Sequence, residues 1–150
     1  MKLKIQWDDI KINITSNYFI DKYSEKIDFS CSNSIYINKY IFEKYSEKLD
    51  WEYISYSQKL SETFIEKHSE RLNWVRISIY QKLSEQFIEK YKHKLDWEYI
   101  SVYQKLSEQF IEKYSDKLNW TRISRCQKLS EQFIEKHSDK IYIIDVINSI

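Results

Sequence analysis

The sequence predicts an all-α fold: an α-solenoid of stacked short helix-turn-helix units repeating every 23 residues. Three observations predict it. A self-similar phrase returns at constant spacing, each unit carries a helical apolar rhythm, and residues suited to cap helices stand at two fixed points per unit.

LDWEYIS at Leu49–Ser55 returns as LNWVRIS from Leu72, as LDWEYIS from Leu95 and as LNWTRIS from Leu118, each step being 23 residues. Between these phrases runs QKLSEQFIEKYS or a close variant. Backward, KIDF at Lys26–Phe29 and KIQW at Lys4–Trp7 fill the same slot at spacings of 22. Forward, LSEQFIEKHSDKI at Leu129–Ile141 opens a last unit in which Ile143 stands where a Trp would be. The array is expected to occupy the chain as one domain, with degenerate units over 1–36, regular units over 37–141 and a cap over 142–150.

Within a unit, slots are counted from the Trp. At roughly 100° per residue, the Trp, the Ile at +3, the Ser at +4 and the Gln at +7 fall on one helical face. These slots are identical in the four central units. They define helix A, about two turns long. Asp50, Asn73, Asp96 and Asn119 precede the Trp as N-caps. Helix B follows Ser61, Ser84, Ser107 or Ser130, and each Ser is followed at once by Glu, whose charge suits the helix dipole. Phe64, Ile65, His68 and Leu72 share one face of it, with Glu62, Glu66, Lys67 and Glu70 outward. One unit offers about seven large apolar groups, too few to offset the entropy of ordering it alone. Stability therefore requires stacked neighbours.

Two regions depart from the pattern. Ser30–Ser34 has no apolar face and reads as a loop or frayed turn. The stretch over 1–14 alternates well enough for a β-hairpin, but the match of KIQW to KLDW favours a degenerate helix.

Composition removes several classes of function. Charged residues make up 31% and nearly cancel, leaving a net charge of +1, which opposes a dedicated polyanion binder. The chain has no Gly, no Pro and no Ala, whose codons are GC-rich, so an AT-rich genome is expected. A designer would have filled helix surfaces with Ala, so the same absence opposes de novo design. Phosphate-cradling loops, dinucleotide fingerprints and nucleophile elbows all need Gly in their usual forms, and no enzyme is expected. Neither a cofactor nor a metal is expected, since no Cys/His spacing suits one. Cys31 and Cys126 form no framework and fit a reducing compartment. No apolar run approaches the ~18 residues of a membrane span, and Met1–Trp7 lacks the apolar core of a signal peptide. A cytoplasmic protein is expected.

The candidate binding surface is the back of helix A, slots +1, +2, +5 and +6. It reads Glu52, Tyr53, Tyr56, Ser57, then Val75, Arg76, Ile79, Tyr80, then Glu98, Tyr99, Val102, Tyr103, then Thr121, Arg122, Arg125, Cys126. A fixed scaffold face opposed by a variable face rich in Tyr and Arg is how repeat proteins present binding surfaces. The partner-binding set is therefore Glu52, Tyr53, Tyr56, Arg76, Ile79, Tyr80, Glu98, Tyr99, Val102, Tyr103, Arg122 and Arg125. Units alternate DWEY, NWVR, DWEY, NWTR, which common descent from a double unit explains.

Other groups have plainer readings. The Trp series lies on the apolar arc and reads as core rather than aromatic cage. His68 and His137 share a slot with Tyr23, Tyr45, Tyr91 and Tyr114, so they are expected to serve as flat rings. Lys90–Lys94 (KYKHK) reads as solvated surface in preference to a weak local anion patch. The Glu62/Glu66 pair recurs as Glu85/Glu89, Glu108/Glu112 and Glu131/Glu135, a solvated stripe rather than an acid–base pair.

The unit W-x-x-I-S-x-x-Q-K-L-S-E-x-F-I-E-K-[YH]-S-x-K-L-[DN]-W resembles short tandem repeats in uncharacterised proteins of AT-rich phages and giant viruses, over most of the chain. The resemblance implies a viral source and an accessory role, and no site residues. The expected function is a protein-binding scaffold that occludes or sequesters a host protein such as a defence effector. The alternatives are one-base-per-repeat nucleic-acid binding, favoured by Arg76, Arg122 and Arg125 but opposed by the Glu stripe, and homo-oligomerisation through the solenoid ends.

Overall fold

A computed structural model describes residues 17–27 and 39–142 of the chain. The expected loop at Ser30–Ser34, the stretch over 1–14 and the cap beyond Tyr142 lie outside the described residues. Ten α-helices stand among the described residues, and no strand does. They are α1 (Asn17–Tyr23), α2 (Lys39–Lys44), α3 (Trp51–Ser57), α4 (Glu62–Lys67), α5 (Trp74–Tyr80), α6 (Glu85–Lys90), α7 (Trp97–Tyr103), α8 (Glu108–Lys113), α9 (Trp120–Cys126) and α10 (Glu131–Lys136). A 3-10 turn, Ser46–Lys48, precedes α3. Helices α3, α5, α7 and α9 are the A helices; the others hold helix-B positions. The fold is the helical solenoid the period predicts.

Capping sets where each helix begins. The Asp50 carboxylate accepts from the Tyr53 N–H at 2.9 Å, and Asn73 and Asn119 accept from Arg76 and Arg122 at 3.1 Å. Ser61, Ser84, Ser107 and Ser130 each accept from the N–H three residues on, at 3.2 Å. No described residue has positive φ, so no helix ends in the left-handed cap that Gly favours. A helices end instead where Gln81, Gln104 or Gln127 turns extended, with ψ of 146–148°. B helices end at Lys67 and its counterparts, and helix B does not run on to Leu72. A turn then brings the Leu72 N–H onto the His68 carbonyl at 3.3 Å, which keeps Leu72 on the apolar side.

Successive A helices pack directly on one another, α3 on α5, α5 on α7 and α7 on α9. The core is a column of isoleucines, Ile54, Ile77, Ile100 and Ile123 from the A helices with Ile65, Ile88 and Ile111 from the B helices, all at most 1% exposed. Leu49, Leu72, Leu95 and Leu118 close the column at the turns. Trp51, Trp74, Trp97 and Trp120 are half-buried at its edge. Trp74 stacks on Phe87 and Tyr91, with centroids at 6.4 and 5.0 Å, and its Nε1 donates to the Ser69 carbonyl at 2.8 Å. Arg71, Lys94, Lys117 and Lys140 lie over successive Trp rings.

The other unchanging slots join neighbouring units. The buried Ser78 hydroxyl donates to the Trp74 carbonyl at 2.8 Å and accepts from the Asp96 N–H of the next unit at 3.0 Å. Ser55, Ser101 and Ser124 repeat the arrangement. The Gln81 amide reaches back to the Ser55 and Gln58 carbonyls at 2.9 and 2.8 Å, while its oxygen accepts from the Leu60 N–H at 2.9 Å. Gln104 and Gln127 repeat these bonds, so each of the three clamps the A–B turn of the unit before it.

The Glu stripe is not merely solvated. Glu62, Glu85 and Glu108 accept from the N–H groups of Ser84, Ser107 and Ser130 in the next unit, at 2.5–2.6 Å. Glu66, Glu89 and Glu112 pair with Lys90, Lys113 and Lys136 at 2.6–2.8 Å. At the N-terminal side, Asp21 accepts from Tyr40, Tyr45 and Lys44 at 2.6–2.7 Å, tying α1 to α2. The Lys44 ammonium and both hydroxyls hold that carboxyl down at about 2.

Candidate functional site

With the inner face of helix A committed to the core, its back is left to solvent and to neighbouring units. The structure divides the predicted surface in two. The charged residues at slots +1 and +2 are engaged within the array, while Val75 at +1 is 44% exposed. The Arg122 Nε donates to Glu98 at 2.9 Å, and the Asn119 amide donates to the same carboxylate at 2.6 Å. Arg76 pairs with Glu52 at 3.5 Å and lies 5.2 Å over the Tyr56 ring. Arg122, and Asn119 after it, hold the Glu98 carboxyl below the usual range, and Glu98 raises Arg122 in return. The DWEY/NWxR alternation thus has a physical counterpart beyond ancestry: Glu at +1 of one unit faces Arg at +2 of the next. Arg76 and Arg122 are not spare cations.

Tyr53 and Tyr99 are half-buried, leaning on Tyr56 and Tyr103 with centroids at 5.0 and 6.2 Å. Slots +5 and +6 are the open ones. Tyr56, Tyr80 and Tyr103 are 38%, 53% and 55% exposed, and the Tyr56 and Tyr80 rings meet at 5.7 Å across the unit boundary. Ile79 and Val102 lie half-buried between them, and Arg125 is exposed at the C-terminal side.

A shallow groove of about 370 Å³ opens beside this strip, between the turn that follows α3 and the turn that follows α5. Tyr56, Lys59, Leu60, Tyr80, Gln81 and Lys82 line it. The lysines lay outside the predicted set. Four charged slots are filled identically in the four central units: Lys at +8, Glu at +11, Glu at +15 and Lys at +16. Members of the last three bridge units: Glu62, Glu85 and Glu108 at +11, and Glu66, Glu89 and Glu112 at +15 with Lys90, Lys113 and Lys136 at +16. Lys59, Lys82, Lys105 and Lys128, at +8, are all exposed and form no ion pair with any described residue. The sequence signal for them was their identity in every unit without an apolar or capping role.

His68 acts as a ring, as its shared slot with Tyr implies, whereas His137 stacks on Trp120 and Phe133 and also brings its Nε2 to 3.1 Å from the Glu112 carboxylate, a polar role the slot did not suggest. His68 lies 4.4 Å from Phe64 and 5.0 Å from Trp51, and burial pushes its pKa down, with Lys67 and Arg71 adding to the effect. A second hollow, of about 410 Å³, lies at the C-terminal side between Trp120 and Tyr142. The Tyr142 N–H donates to Ser124 Oγ at 3.1 Å, the bond made by N-cap residues elsewhere.

Among the described residues no three of His, Cys, Asp and Glu come together as a metal set, and no helix is long and apolar enough to cross a membrane. No protein-family model, curated protein or solved structure matches the chain.

Proposed function

We propose that the chain is a protein-binding repeat scaffold whose recognition strip is the outer part of the A helices, with Tyr56, Tyr80 and Tyr103 as its anchors. The observation that carries this reading is a row of exposed tyrosines on a backbone held fixed by the Ser and Gln ladders. Tyr supplies a large, amphipathic contact at low entropic cost, and a rigid array orders little on binding. The resemblance to repeats of AT-rich viruses supports a viral accessory factor acting on a host protein in the host cytoplasm. One-base-per-repeat nucleic-acid binding is disfavoured because Arg76 and Arg122 are already paired and the Tyr56 and Tyr80 rings close on each other.

A display selection of natural protein fragments against the wild-type chain tests the proposal, with the Tyr56→Ala/Tyr80→Ala/Tyr103→Ala variant as comparison. Enriched fragments should lose binding to the variant while its circular dichroism stays that of the wild type. Fragments that bind both proteins equally would place recognition elsewhere. Enrichment of nothing, with binding of oligonucleotides instead, would end the reading.

A further inference from the structure

Lys59, Lys82, Lys105 and Lys128 recur once per unit, and their regularity has a structural cause. Each sits immediately after the glutamine that ends an A helix. The turn bearing Lys59 is clamped from the following unit, where Gln81 bonds the Ser55 and Gln58 carbonyls and the Leu60 N–H. Gln104 and Gln127 hold the turns of Lys82 and Lys105 the same way. Packed helices stand about 8–10 Å apart, so the lysines step along the array at about that interval. None of the four pairs with an acidic group among the described residues, and Lys59 and Lys82 line the groove with Tyr56 and Tyr80.

We infer that the Lys59–Lys82–Lys105–Lys128 row and the exposed tyrosines beside it form a docking track for an extended acidic segment of a partner protein, with a carboxylate at every third residue. The inference rests on the protein-binding reading and adds the partner's chemistry to it. Charge complementarity supplies the sign, since the row is cationic and its charges are uncompensated. Spacing supplies the conformation. A polyproline II segment makes one turn in three residues, rising about 9 Å, so every third side chain returns to the same face at the interval of the lysines. A β-strand returns to one face every two residues, about 6.7 Å, and falls out of step. The tyrosine rings offer apolar surface to the residues between the carboxylates, as aromatic-lined grooves do for extended ligands. Nucleic acid fits less well, because the Tyr56 and Tyr80 rings meet at 5.7 Å and leave no slot for a base to stack between them.

The test is fluorescence anisotropy of the whole chain with a labelled (Glu-Pro-Pro)5 peptide at about 50 mM salt, where exposed charges are weakly screened. The comparisons are an isomer of the same composition with its glutamates contiguous, and the oligonucleotide dT15. The spaced peptide should bind, and the Lys59→Gln/Lys82→Gln/Lys105→Gln/Lys128→Gln variant should bind it at least about tenfold more weakly, the sum of four individually small pairs. The corresponding Lys→Arg variant, which keeps the charge, should retain binding. Equal affinity for the two isomers, unchanged affinity of the Gln variant or no binding at all would overturn the inference. Tighter binding of dT15 would overturn it in favour of nucleic acid. If the peptide fails while tyrosine-dependent protein fragments are still selected, only the acidic track falls. If both fail, the scaffold reading falls with it.

Discussion

The Gln104 side-chain amide donates to the Gln81 carbonyl at 2.8 Å, across a unit boundary and at the residue where α5 leaves helical geometry. The same amide reaches the Ser78 carbonyl at 2.9 Å, and its oxygen accepts from the Leu83 N–H at 3.0 Å. All three bonds are buried, so Gln104→Ala would strand two carbonyls and one N–H away from water. We expect it to cost about 2–4 kcal/mol in urea denaturation, because leaving buried groups unpaired costs more than the bonds themselves contribute. Gln104→Glu, which cannot donate, should be no better. A Gln104→Ala protein as stable as Lys105→Ala would remove the glutamine ladder from the account of stability.

That ladder also marks how far the sequence was legible. The period, the apolar slots and the caps lie within one unit, so spacing alone placed Trp51 just after Asp50 and Glu62 just after Ser61 as helix starts. The partners of Gln104 and Ser78 lie 18–26 residues away in neighbouring units, and repetition reveals that a slot is fixed without revealing to what. The early end of helix B at Lys67 was illegible for another reason. Without Gly or Pro nothing punctuates the chain there, and Leu72 keeps helical phase through a turn. On the candidate surface, Tyr56, Tyr80 and Tyr103 were found by periodicity. The sequestering of Arg76 and Arg122 required the distance between units.

The Glu98–Arg122 pair is half-exposed, so its contribution should be modest and sensitive to salt. A double-mutant cycle with Glu98→Gln and Arg122→Gln should give a favourable coupling at about 20 mM salt that collapses near 1 M, where the Debye length is about 3 Å. Arg76 meets Glu52 at the longer distance of 3.5 Å, and its cycle should give a smaller value. A coupling that survives high salt would mean the pair acts through packing rather than charge.

His68 should make stability depend on pH. Burial holds its folded pKa below the free value of 6.5, so the unfolded chain takes up the proton first. Its neutral form therefore stabilises the fold fully above about pH 6.5, and that share is lost as the pH falls toward the folded value. Tyr91 and Tyr114 fill the same slot in other units, so His68→Tyr should be accommodated. Melting temperatures measured from about pH 5 to 7 should fall less steeply with acid in the variant than in wild type. Parallel profiles would show that His68 is not the titrating group.

Removal of whole units tests the nearest-neighbour architecture. Deleting residues 74–96 joins Asn73 to Trp97, and the slots that make the Ser, Gln and cap bonds are the same on both sides of the junction. The shortened chain should remain helical and melt cooperatively at a lower temperature, since stability in a stacked array is close to a sum of units and interfaces. Deleting residues 74–119 removes a second unit and should lower the midpoint again, while returning Glu52 to an Arg neighbour, Arg122. In the single deletion Glu52 instead faces Tyr99 with no Arg opposite, so Glu52→Gln should be neutral or stabilising there and slightly destabilising in the full chain. Calorimetry of the deletions gives the outcome directly: a single-unit deletion that unfolds outright would mean that the array folds as one indivisible core.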